Sequence, residues 1–354
     1  MLTVGQLVNN RYRIIEKLAE GGQSIVYLAA DQNAFGHRVV VKQFKLGSGT
    51  PASREAALRQ FEASARMLAQ LHHPGIVQVI EYVLNDGVPL LITEYAEGET
   101  LQHRMQSEVF GLPEEQVLDM AEQLCDVLSY LHSQTPPVIY RDLTPGNVII
   151  SSTGRIKLID FGIARTMKAG KTSDTEPLGT TGYAAPEQYG NLQTGPYSDV
   201  YSLGATLLYA LTGYDPSLTP FMLPRADAVH PDFKAVSRPL ADAIEKATQL
   251  NVQDRFQTVE EFRQAIRRAR SRSPSLNAGR VRLRKAHVTA FLGLILVIAL
   301  LGSGIWLMLA SAVGAWPGEF DLRASQVSEP TPVSEPPNEP TNRPAVEATP
   351  TPSS

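Results

Sequence analysis

Among the lysines, aspartates and asparagines of this 354-residue sequence, Lys42, Asp142, Asn147 and Asp160 are four whose types could act on a phosphate group. Asn147 and Asp160, 13 residues apart, carry hard oxygen donors, which Mg²⁺ prefers to nitrogen or sulfur ligands. Phosphoryl transfer needs a nucleophile held in line and negative charge neutralised on the phosphates. Taken singly, each residue is more simply a surface lysine or a polar group that caps a turn, so the assignment depends on the motifs around them.

These residues belong to five short motifs that follow one another along the chain. The motifs are LAEGGQSIV at 18–26, VVVK at 39–42, YRDLTPGN at 140–147, DFG at 160–162 and APE at 185–187. In order and spacing the set resembles the protein-kinase signature. The segments DFGIAR, GYAAPEQY and SDVYSLGATLLYALTG are most similar to those of the bacterial eukaryotic-like (Hanks-type) serine/threonine kinases. Many of these kinases have one membrane helix. The resemblance covers residues 10–268.

The resemblance implies a catalytic role for each of the four residues. Lys42 would hold the α- and β-phosphates of ATP, and Asp142 would accept or orient the proton of the substrate hydroxyl. Asn147 and Asp160 would bind Mg²⁺, with Mn²⁺ as the alternative metal. ATP and a divalent metal are therefore the expected cosubstrate and cofactor.

The resemblance also implies a set of nucleotide contacts. Val26 and Val40 would pack on the base, the hinge backbone from Glu94 to Ala96 would bond the adenine, and Thr93 would occupy the gatekeeper position. The full set of expected nucleotide-binding residues is Leu18, Ala19, Glu20, Gly21, Gly22, Gln23, Ser24, Ile25, Val26, Val40, Lys42, Glu94 and Ala96.

Other residues resemble positions with structural roles in the family. Glu187 and Arg255 resemble the pair that ties the large lobe together, and Asp199 resembles the helix residue that braces the catalytic loop. Thr180 matches the threonine that holds the catalytic aspartate. Cys125 lies on an apolar helical face and is interpreted as a core residue.

The sequence departs from the family pattern at several positions. In the glycine-rich loop, Ala19 and Ser24 replace the first and third glycines. Thr144 replaces the catalytic-loop lysine and brings no charge, so a slower enzyme is expected. Tyr140 replaces the usual histidine at a packing position, where an aromatic side chain can serve.

The most serious departure concerns the helix glutamate that should pair with Lys42. Its position in the sequence is occupied by Ser64. Glu62 is about 200° round the helix from Ser64 and should point elsewhere. The sequence therefore leaves the partner of Lys42 unassigned.

The elements that must position these residues change in type along the chain. Short β-rich runs are predicted at 12–18, 25–30 and 38–44, and later helices include 115–132 and 197–212. A small β-rich lobe followed by a larger helical lobe is an α+β arrangement. The predicted fold is the bilobal protein-kinase fold, with a cleft between the lobes.

Charge and cysteine content exclude several classes of function. The first 261 residues carry a net charge of −9, whereas binding to nucleic acid needs a basic surface. Nucleic acid is therefore not an expected partner. The single cysteine excludes an intramolecular disulfide and any cysteine-based zinc cluster.

A 23-residue stretch without charge at 288–310 is long enough to cross a bilayer. The alternative is a buried helix of a soluble domain, but such helices rarely run this long without a polar face. Nine basic residues precede it, which predicts a cytoplasmic kinase domain in a cell-membrane protein with one span. The expected organisation is a kinase domain at 1–268, a basic juxtamembrane linker at 269–287, a transmembrane helix at 288–310 and a disordered Pro-rich extracytoplasmic tail at 311–354.

The leading hypothesis is a membrane-anchored serine/threonine protein kinase that acts on protein substrates and autophosphorylates its activation segment. That segment comprises residues 160–187, and Thr172, Ser173 and Thr175 are its candidate phosphorylation sites. Autophosphorylation in trans implies a homodimer. The alternative is a pseudokinase that binds nucleotide and acts as a scaffold or signalling module at the membrane, which Ser64 and Thr144 would favour.

Overall fold

A computed structural model describes residues 1–22, 24–45, 50–108, 110–161, 179–189, 193–230 and 236–272. The chain divides into two units, Met1–Leu276 and Asn277–Ser354, of which the second lies outside the described residues. The predicted membrane span at 288–310 and the tail at 311–354 therefore also lie outside them. Within the described ranges, no helix combines the length and apolar character needed to cross a membrane.

The small lobe contains six strands, which are β1 (Leu7–Val8), β2 (Tyr12–Glu20), β3 (Ser24–Asp31), β4 (His37–Phe44), β5 (Val79–Asn85) and β6 (Val88–Glu94). They form one antiparallel sheet in the order β1-β2-β3-β4-β6-β5. One helix, α1 (Pro51–Leu68), follows β4, with Thr50 as its N-cap and proline in its first turn. The predicted β-rich runs at 12–18, 25–30 and 38–44 lie within β2, β3 and β4, respectively.

The side chains of β4 point alternately to the two faces of this sheet. Val39 and Val41 are buried in a cluster that belongs to the small lobe alone. Because successive side chains on a strand point to opposite faces, Val40, Lys42 and Phe44 share the other face. Phe44 is buried in a second cluster that continues through α1 into the large lobe. The sheet thus presents Lys42 towards the large lobe.

Helices dominate the large lobe, together with a small sheet in the order β7-β8-β9. Its strands are β7 (Glu99–Thr100), β8 (Val148–Ile150) and β9 (Ile156–Leu158). Its helices are α2 (Leu101–Met105), α3 (Glu114–His132), α4 (Pro196–Thr212), α5 (Ala226–Val229), α6 (Arg238–Ala247) and α7 (Val259–Arg272). Short 3₁₀ turns lie at Gln32–Ala34, Pro145–Asn147, Pro186–Tyr189, Pro216–Leu218 and Val252–Asp254. The bilobal α+β prediction is confirmed.

Helix α3 is central to the large lobe, and Cys125 lies within it. Cys125 is fully buried beside Leu124 and Leu128. Burial raises the pKa of the Cys125 thiol to about 12, so it stays protonated and inert at neutral pH. The interpretation of Cys125 as a core residue is confirmed.

Ion pairs fasten α7 to α3. Glu122 accepts hydrogen bonds from Arg263 and Arg267, each at 3.0 Å, and Arg270 pairs with Asp119. Burial opposes the charged form of Glu122, but the two guanidinium groups outweigh it and lower the pKa of the carboxyl group. Three of the nine basic residues that precede the predicted span are therefore paired within the large lobe. The helix ends at Arg272, so the first four residues of the predicted linker are helical.

Candidate active site

Lys42 and Asp160 come from different lobes and meet in the cleft. The Nζ atom of Lys42 lies 2.5 Å from Oδ2 of Asp160, and the lysine side chain is only 12% exposed. Lys42 is held by the centre of the sheet, since β4 pairs with β3 and β6. Asp160 follows β9 and has a left-handed backbone, with φ of 67°. The structure therefore brings these two predicted site residues together.

Asn147 is brought to the same place by the β8–β9 hairpin. Asn147 immediately precedes β8, whose Val148 pairs with Leu158 of the antiparallel β9. The backbone N–H of Ile159 also donates to the carbonyl of Asn147 at 3.0 Å. Because the start of one strand lies beside the end of its antiparallel partner, Asn147 and Asp160 must lie close together.

Asp142 receives hydrogen bonds from two separate segments. The amide nitrogen of Asn147 donates to Oδ2 of Asp142 at 3.2 Å and to its carbonyl at 2.8 Å. Thr180 donates from Oγ1 to Oδ1 of the same carboxylate at 3.0 Å. The expected contact between Thr180 and Asp142 is thus present, and the carboxylate has a defined orientation.

A buried carboxylate on α4 supports the backbone of the catalytic loop. Asp199 is fully buried and accepts hydrogen bonds from the N–H groups of Tyr140 and Arg141 at 2.9 and 2.8 Å. The ring of His132 contacts its Oδ2 at 2.8 Å. Arg141 has a left-handed backbone, with φ of 63°, which the two hydrogen bonds hold in place. The bracing position expected for Asp199 matches what the structure shows.

Tyr140 does more than fill a packing position. Its hydroxyl donates to the carbonyl of Ile159 at 2.5 Å, and its ring packs edge-on against Phe161 with centroids 5.3 Å apart. Tyr140 therefore connects the catalytic loop to the residues on both sides of Asp160. The sequence indicated an aromatic packing residue here but gave no sign of the hydrogen bond.

The glycine-rich loop joins β2 to β3 and is contacted by Lys45, which follows β4. Lys45 donates to Oε1 of Glu20 at 2.8 Å and to the carbonyl of Gly21 at 3.0 Å. The hydrogen bond from Lys45 lowers the pKa of Glu20. The sequence did not indicate Lys45, because its contact depends on how the end of β4 meets the loop. The predicted contact residue Gln23 lies outside the described residues.

One predicted nucleotide contact needs correction. The side chain of Ile25 is 2% exposed and packs with Val39 and Val41 in the small-lobe core. It therefore lies on the opposite face of the sheet from Lys42, and only its backbone could reach a nucleotide. By contrast, Val26 pairs with Lys42 in the β3–β4 register, and Val26 and Val40 are half-buried on the Lys42 face.

The hinge is fixed through the side chain of Glu94. Its Oε1 accepts from the backbone N–H of Gln78 at 3.0 Å and pairs with Lys157 of β9. Thr93, next to it, lies opposite Val40 in the β4–β6 register, beside the predicted base site. The backbone N–H of Glu94 also donates to the carbonyl of Gln78 at 2.9 Å, so the Glu94 carbonyl is the part that could face a nucleotide. Lys157 is a further residue that the sequence did not single out.

The acidic residues of α1 do not supply the missing partner of Lys42. Glu55 pairs with Arg59 at 2.5 Å and Glu62 with Arg66 at 2.9 Å, all on the exposed side of the helix. Ser64 donates from its hydroxyl to the carbonyl of Gln60, one turn earlier. Among the described residues, the ion-pair partner of Lys42 is Asp160.

Thr144 is buried where the family carries a lysine. It is 7% exposed and precedes the 3₁₀ turn Pro145–Asn147, whose first position is proline. The substitution therefore removes a cation from the loop without leaving an exposed polar group in its place. The expectation of a slower enzyme stays a prediction.

The donors in the cleft fit a magnesium ion bound with a nucleotide. In the described part of the chain, no group of three or more His, Cys, Asp and Glu side chains could hold a metal by itself. Mg²⁺, however, commonly takes one or two protein ligands and completes its shell with phosphate oxygens and water. Asp160 offers a carboxylate, and Asn147 directs its amide nitrogen at Asp142, so that its oxygen is the available ligand atom.

A buried ion pair secures Glu187, the last residue of the activation segment. Arg255 donates two hydrogen bonds to Glu187, both at 2.9 Å, and the side chains are 0% and 1% exposed. Ser198 of α4 donates to Glu187 at 2.7 Å. The pair expected to tie the large lobe together is present. Most of the activation segment, including Gly162 and the candidate phosphorylation sites Thr172, Ser173 and Thr175, lies outside the described residues.

Comparison with known proteins identifies relatives over most of the chain. The family described as "Protein kinase domain" matches residues 12–266. The serine/threonine-protein kinase PknA of Mycobacterium tuberculosis (strain H37Rv) is 36% identical over 219 residues, which cover 60% of this chain and 49% of PknA. PknB of Mycobacterium leprae is 32% identical over 288 residues, which cover 77% of this chain and 45% of PknB. The chain thus matches about half the length of these curated relatives.

Solved structures show the same fold. The structure titled "PpkA-294 apo form" superposes with a TM-score of 0.63 at 24% identity and covers 75% of this chain and 99% of that one. The kinase domain of Mycobacterium tuberculosis PknI gives a TM-score of 0.60 at 24% identity, covering 77% of this chain and 100% of that one.

Proposed function

The chain belongs to the protein kinase family, and on that premise we propose that it is a membrane-anchored serine/threonine protein kinase. Its kinase domain is of the bacterial Hanks type. The reaction would transfer the γ-phosphate of ATP to serine or threonine hydroxyl groups of protein substrates. As in the family generally, ATP and a divalent metal would be needed, and Mg²⁺ is the proposed metal.

The observation that carries this proposal is the convergence of four groups in one cleft. Lys42 lies 2.5 Å from Asp160, and Asn147 donates to Asp142 at 3.2 Å. The β8–β9 hairpin links the two pairs, since it sets Asn147 beside the residues that lead to Asp160. A lysine, two carboxylates and an amide are the side chains that phosphoryl transfer in this family requires.

Each residue would contribute a separate effect to the transfer. Asp142, oriented by Thr180 and Asn147, would orient the substrate hydroxyl and accept its proton. Lys42 would place its positive charge on the nucleotide phosphates. Bound Mg²⁺ would neutralise phosphate charge, and Asp160 and Asn147 are the residues that would hold it.

The second candidate function is a pseudokinase that binds nucleotide without transferring phosphate. The burial of Thr144 favours it, because a hydroxyl in that loop cannot supply the charge of a lysine. The two functions differ in one measurable step, the transfer of phosphate from bound ATP.

The test is phosphate incorporation from radiolabelled ATP by the purified full chain, with Mg²⁺ and a generic protein substrate. We expect incorporation by the wild type and its loss in Asp142→Asn, which removes the base without adding bulk. Asp160→Asn should also lose activity, because it removes a carboxylate that would hold Mg²⁺. If Asp142→Asn transfers phosphate as fast as the wild type, the active-kinase proposal is wrong. If the wild type binds ATP but transfers nothing, the pseudokinase is supported.

Membrane anchoring is proposed from the sequence of residues 288–310. The span would begin 16 residues after the last described helix ends at Arg272, with basic residues on its kinase side. Protease added to intact cells should then remove only a few kilodaltons of tail. Loss of the kinase domain under the same treatment would reverse the proposed orientation.

Autophosphorylation in trans, between two anchored chains, is proposed for the activation segment. Arg141 precedes Asp142, and a phosphate on Thr172, Ser173 or Thr175 could pair with it and order the segment. We expect mass spectrometry of the active chain to find phosphate there, and a triple-alanine variant to be less active. Active protein without phosphate anywhere in 166–181 would exclude this mechanism, even if the kinase assignment stood.

A further inference from the structure

Lys42 lies against an aromatic ring as well as beside Asp160. Its Nζ is 5.2 Å from the centroid of the Phe44 ring, within the range of a cation–π interaction. The two residues alternate along β4 and so share one face of the sheet. Phe44 is 2% exposed, so its ring meets the ammonium group largely out of contact with water. The attraction between a cation and a ring strengthens when both are desolvated.

The orientation of the Phe44 ring is set by helix α1. Phe61 of α1 packs edge-on against Phe44, with centroids 4.6 Å apart and planes at 67°. Phe61 is fully buried, and its ring also packs against that of Tyr82 on β5, with centroids 5.4 Å apart. Edge-to-face packing of this kind fixes ring orientation. A displacement of α1 would therefore move Phe44 and, through it, the ammonium group of Lys42.

We propose that Phe44 is the positioning residue for Lys42 and that Phe61 connects it to α1. An aromatic contact would thus fill the role that a helix glutamate has in related kinases. Both acids of α1 are engaged with arginines on the exposed side. Asp160 cannot remain the partner of Lys42 throughout the reaction, because the proposed function requires its carboxylate for the metal. A ring also carries no net charge, which leaves the full charge of Lys42 for the phosphates.

This inference rests on the proposed function, and ATP affinity tests it separately from phosphate transfer. The variant is Phe44→Met in the full chain, which keeps most of the volume and removes the ring. We expect its dissociation constant for Mg·ATP to rise by about five- to tenfold. Thermal unfolding checks that the chain folds, and Phe44→Leu replaces Phe44→Met if that variant does not.

The matched control is Phe256→Met in the large lobe, where the ring contacts α6 and α7. Lys246 Nζ lies 4.6 Å from the centroid of Phe256, and Phe256 stacks on Phe262, so the same two kinds of contact are lost. Because the Phe256 ring contacts Lys246 of α6 and Phe262 of α7, neither of which carries a predicted site residue, its loss should change ATP affinity by less than about twofold. Equal losses of affinity in the two variants would overturn the inference.

A second substitution tests whether the Phe44 ring positions Lys42 in place of a carboxylate. Adding Ser64→Glu should restore ATP affinity in Phe44→Met but change it little in the wild type, so the two effects should not add. Strictly additive effects, or wild-type affinity in Phe44→Met, would overturn the inference and leave the kinase proposal intact. A wild type that binds ATP but transfers no phosphate would refute only the kinase proposal. A wild type that binds no ATP would refute both.

Discussion

Thr180 donates a hydrogen bond from its Oγ1 to Oδ1 of Asp142 at 3.0 Å. Asn147 donates to the other oxygen of the same carboxylate at 3.2 Å. Thr180 lies in the last part of the activation segment, whereas Asn147 ends the catalytic loop, so the carboxylate is oriented by two segments at once. The position of the proposed base therefore depends on how the end of the activation segment is placed.

The first prediction follows from this contact. Thr180→Val keeps the shape of the side chain and removes its donor, so the Asp142 carboxylate loses the hydrogen bond from Thr180. We expect kcat to fall by about tenfold, since one such contact contributes about 1.4 kcal/mol, while KM for ATP stays unchanged. Thr180→Ser, which keeps the hydroxyl, should retain most of the activity. Equal rates in the two variants would show that the hydroxyl has no such role.

The second prediction concerns Tyr140. Tyr140→Phe removes the hydroxyl that donates to the Ile159 carbonyl but keeps the ring that packs on Phe161. We expect a loss of about 1 kcal/mol in the free energy of unfolding, because the partly buried carbonyl of Ile159 loses its donor. Activity should fall several-fold, since Ile159 precedes Asp160. Steady-state rates and thermal unfolding measured on the same preparations check both effects. Unchanged values of both would show that the ring alone matters.

The sequence predicted the contacts whose residues belong to recognised motifs. Asp199, Thr180 and the Glu187–Arg255 pair could be located because each belongs to a recognisable run of residues. Backbone hydrogen bonds hold these runs, so a matching sequence implies a matching geometry.

The contacts that the sequence did not predict depend on which way a side chain points in three dimensions. Ile25 belongs to the glycine-rich motif, yet strand alternation turns it into the small-lobe core. Phe44 reads as an ordinary apolar strand residue, and its position between Lys42 and Phe61 appears only when α1 packs on the sheet. Lys45 and Lys157 reach residues that are distant in sequence, and no local pattern marks them.

The third prediction concerns the buried pair of Glu187 and Arg255. Both side chains are excluded from water and joined by two hydrogen bonds of 2.9 Å, so removal of one charge leaves the other uncompensated. Glu187→Gln should therefore lower the free energy of unfolding by about 3 kcal/mol or more. The exposed pair of Glu62 and Arg66 is the matched control, and Glu62→Gln should cost less than about 1 kcal/mol. Chemical denaturation followed by circular dichroism measures both, and similar costs would contradict the prediction.

The fourth prediction is a pH dependence in the small lobe. Arg11 donates to both oxygens of Asp31 at 2.8 and 2.6 Å, and Asp31 is only 3% exposed. The hydrogen bonds from Arg11 lower the pKa of Asp31 below its ordinary value. A depressed carboxyl pKa stabilises the fold above the unfolded-state pKa of about 3.9, and this stability is lost as the pH falls through the folded-state value. Asp31→Asn should therefore be less stable than the wild type at pH 7, and the difference should shrink as the pH falls below about 4.

Comparison with an exposed aspartate separates this effect from general acid denaturation. Asp86 is exposed in the turn between β5 and β6 and, in the described part of the chain, forms no ion pair. Asp86→Asn should stay within about 0.5 kcal/mol of the wild type at every pH, because the Asp86 side chain is exposed. The midpoints of urea unfolding of the three chains between pH 3 and pH 7, followed by circular dichroism, give the two differences. A gap between Asp31→Asn and the wild type that stays constant down to pH 3 would show that the Asp31 side chain stabilises the lobe through its shape and neutral hydrogen bonds, and not through its charge.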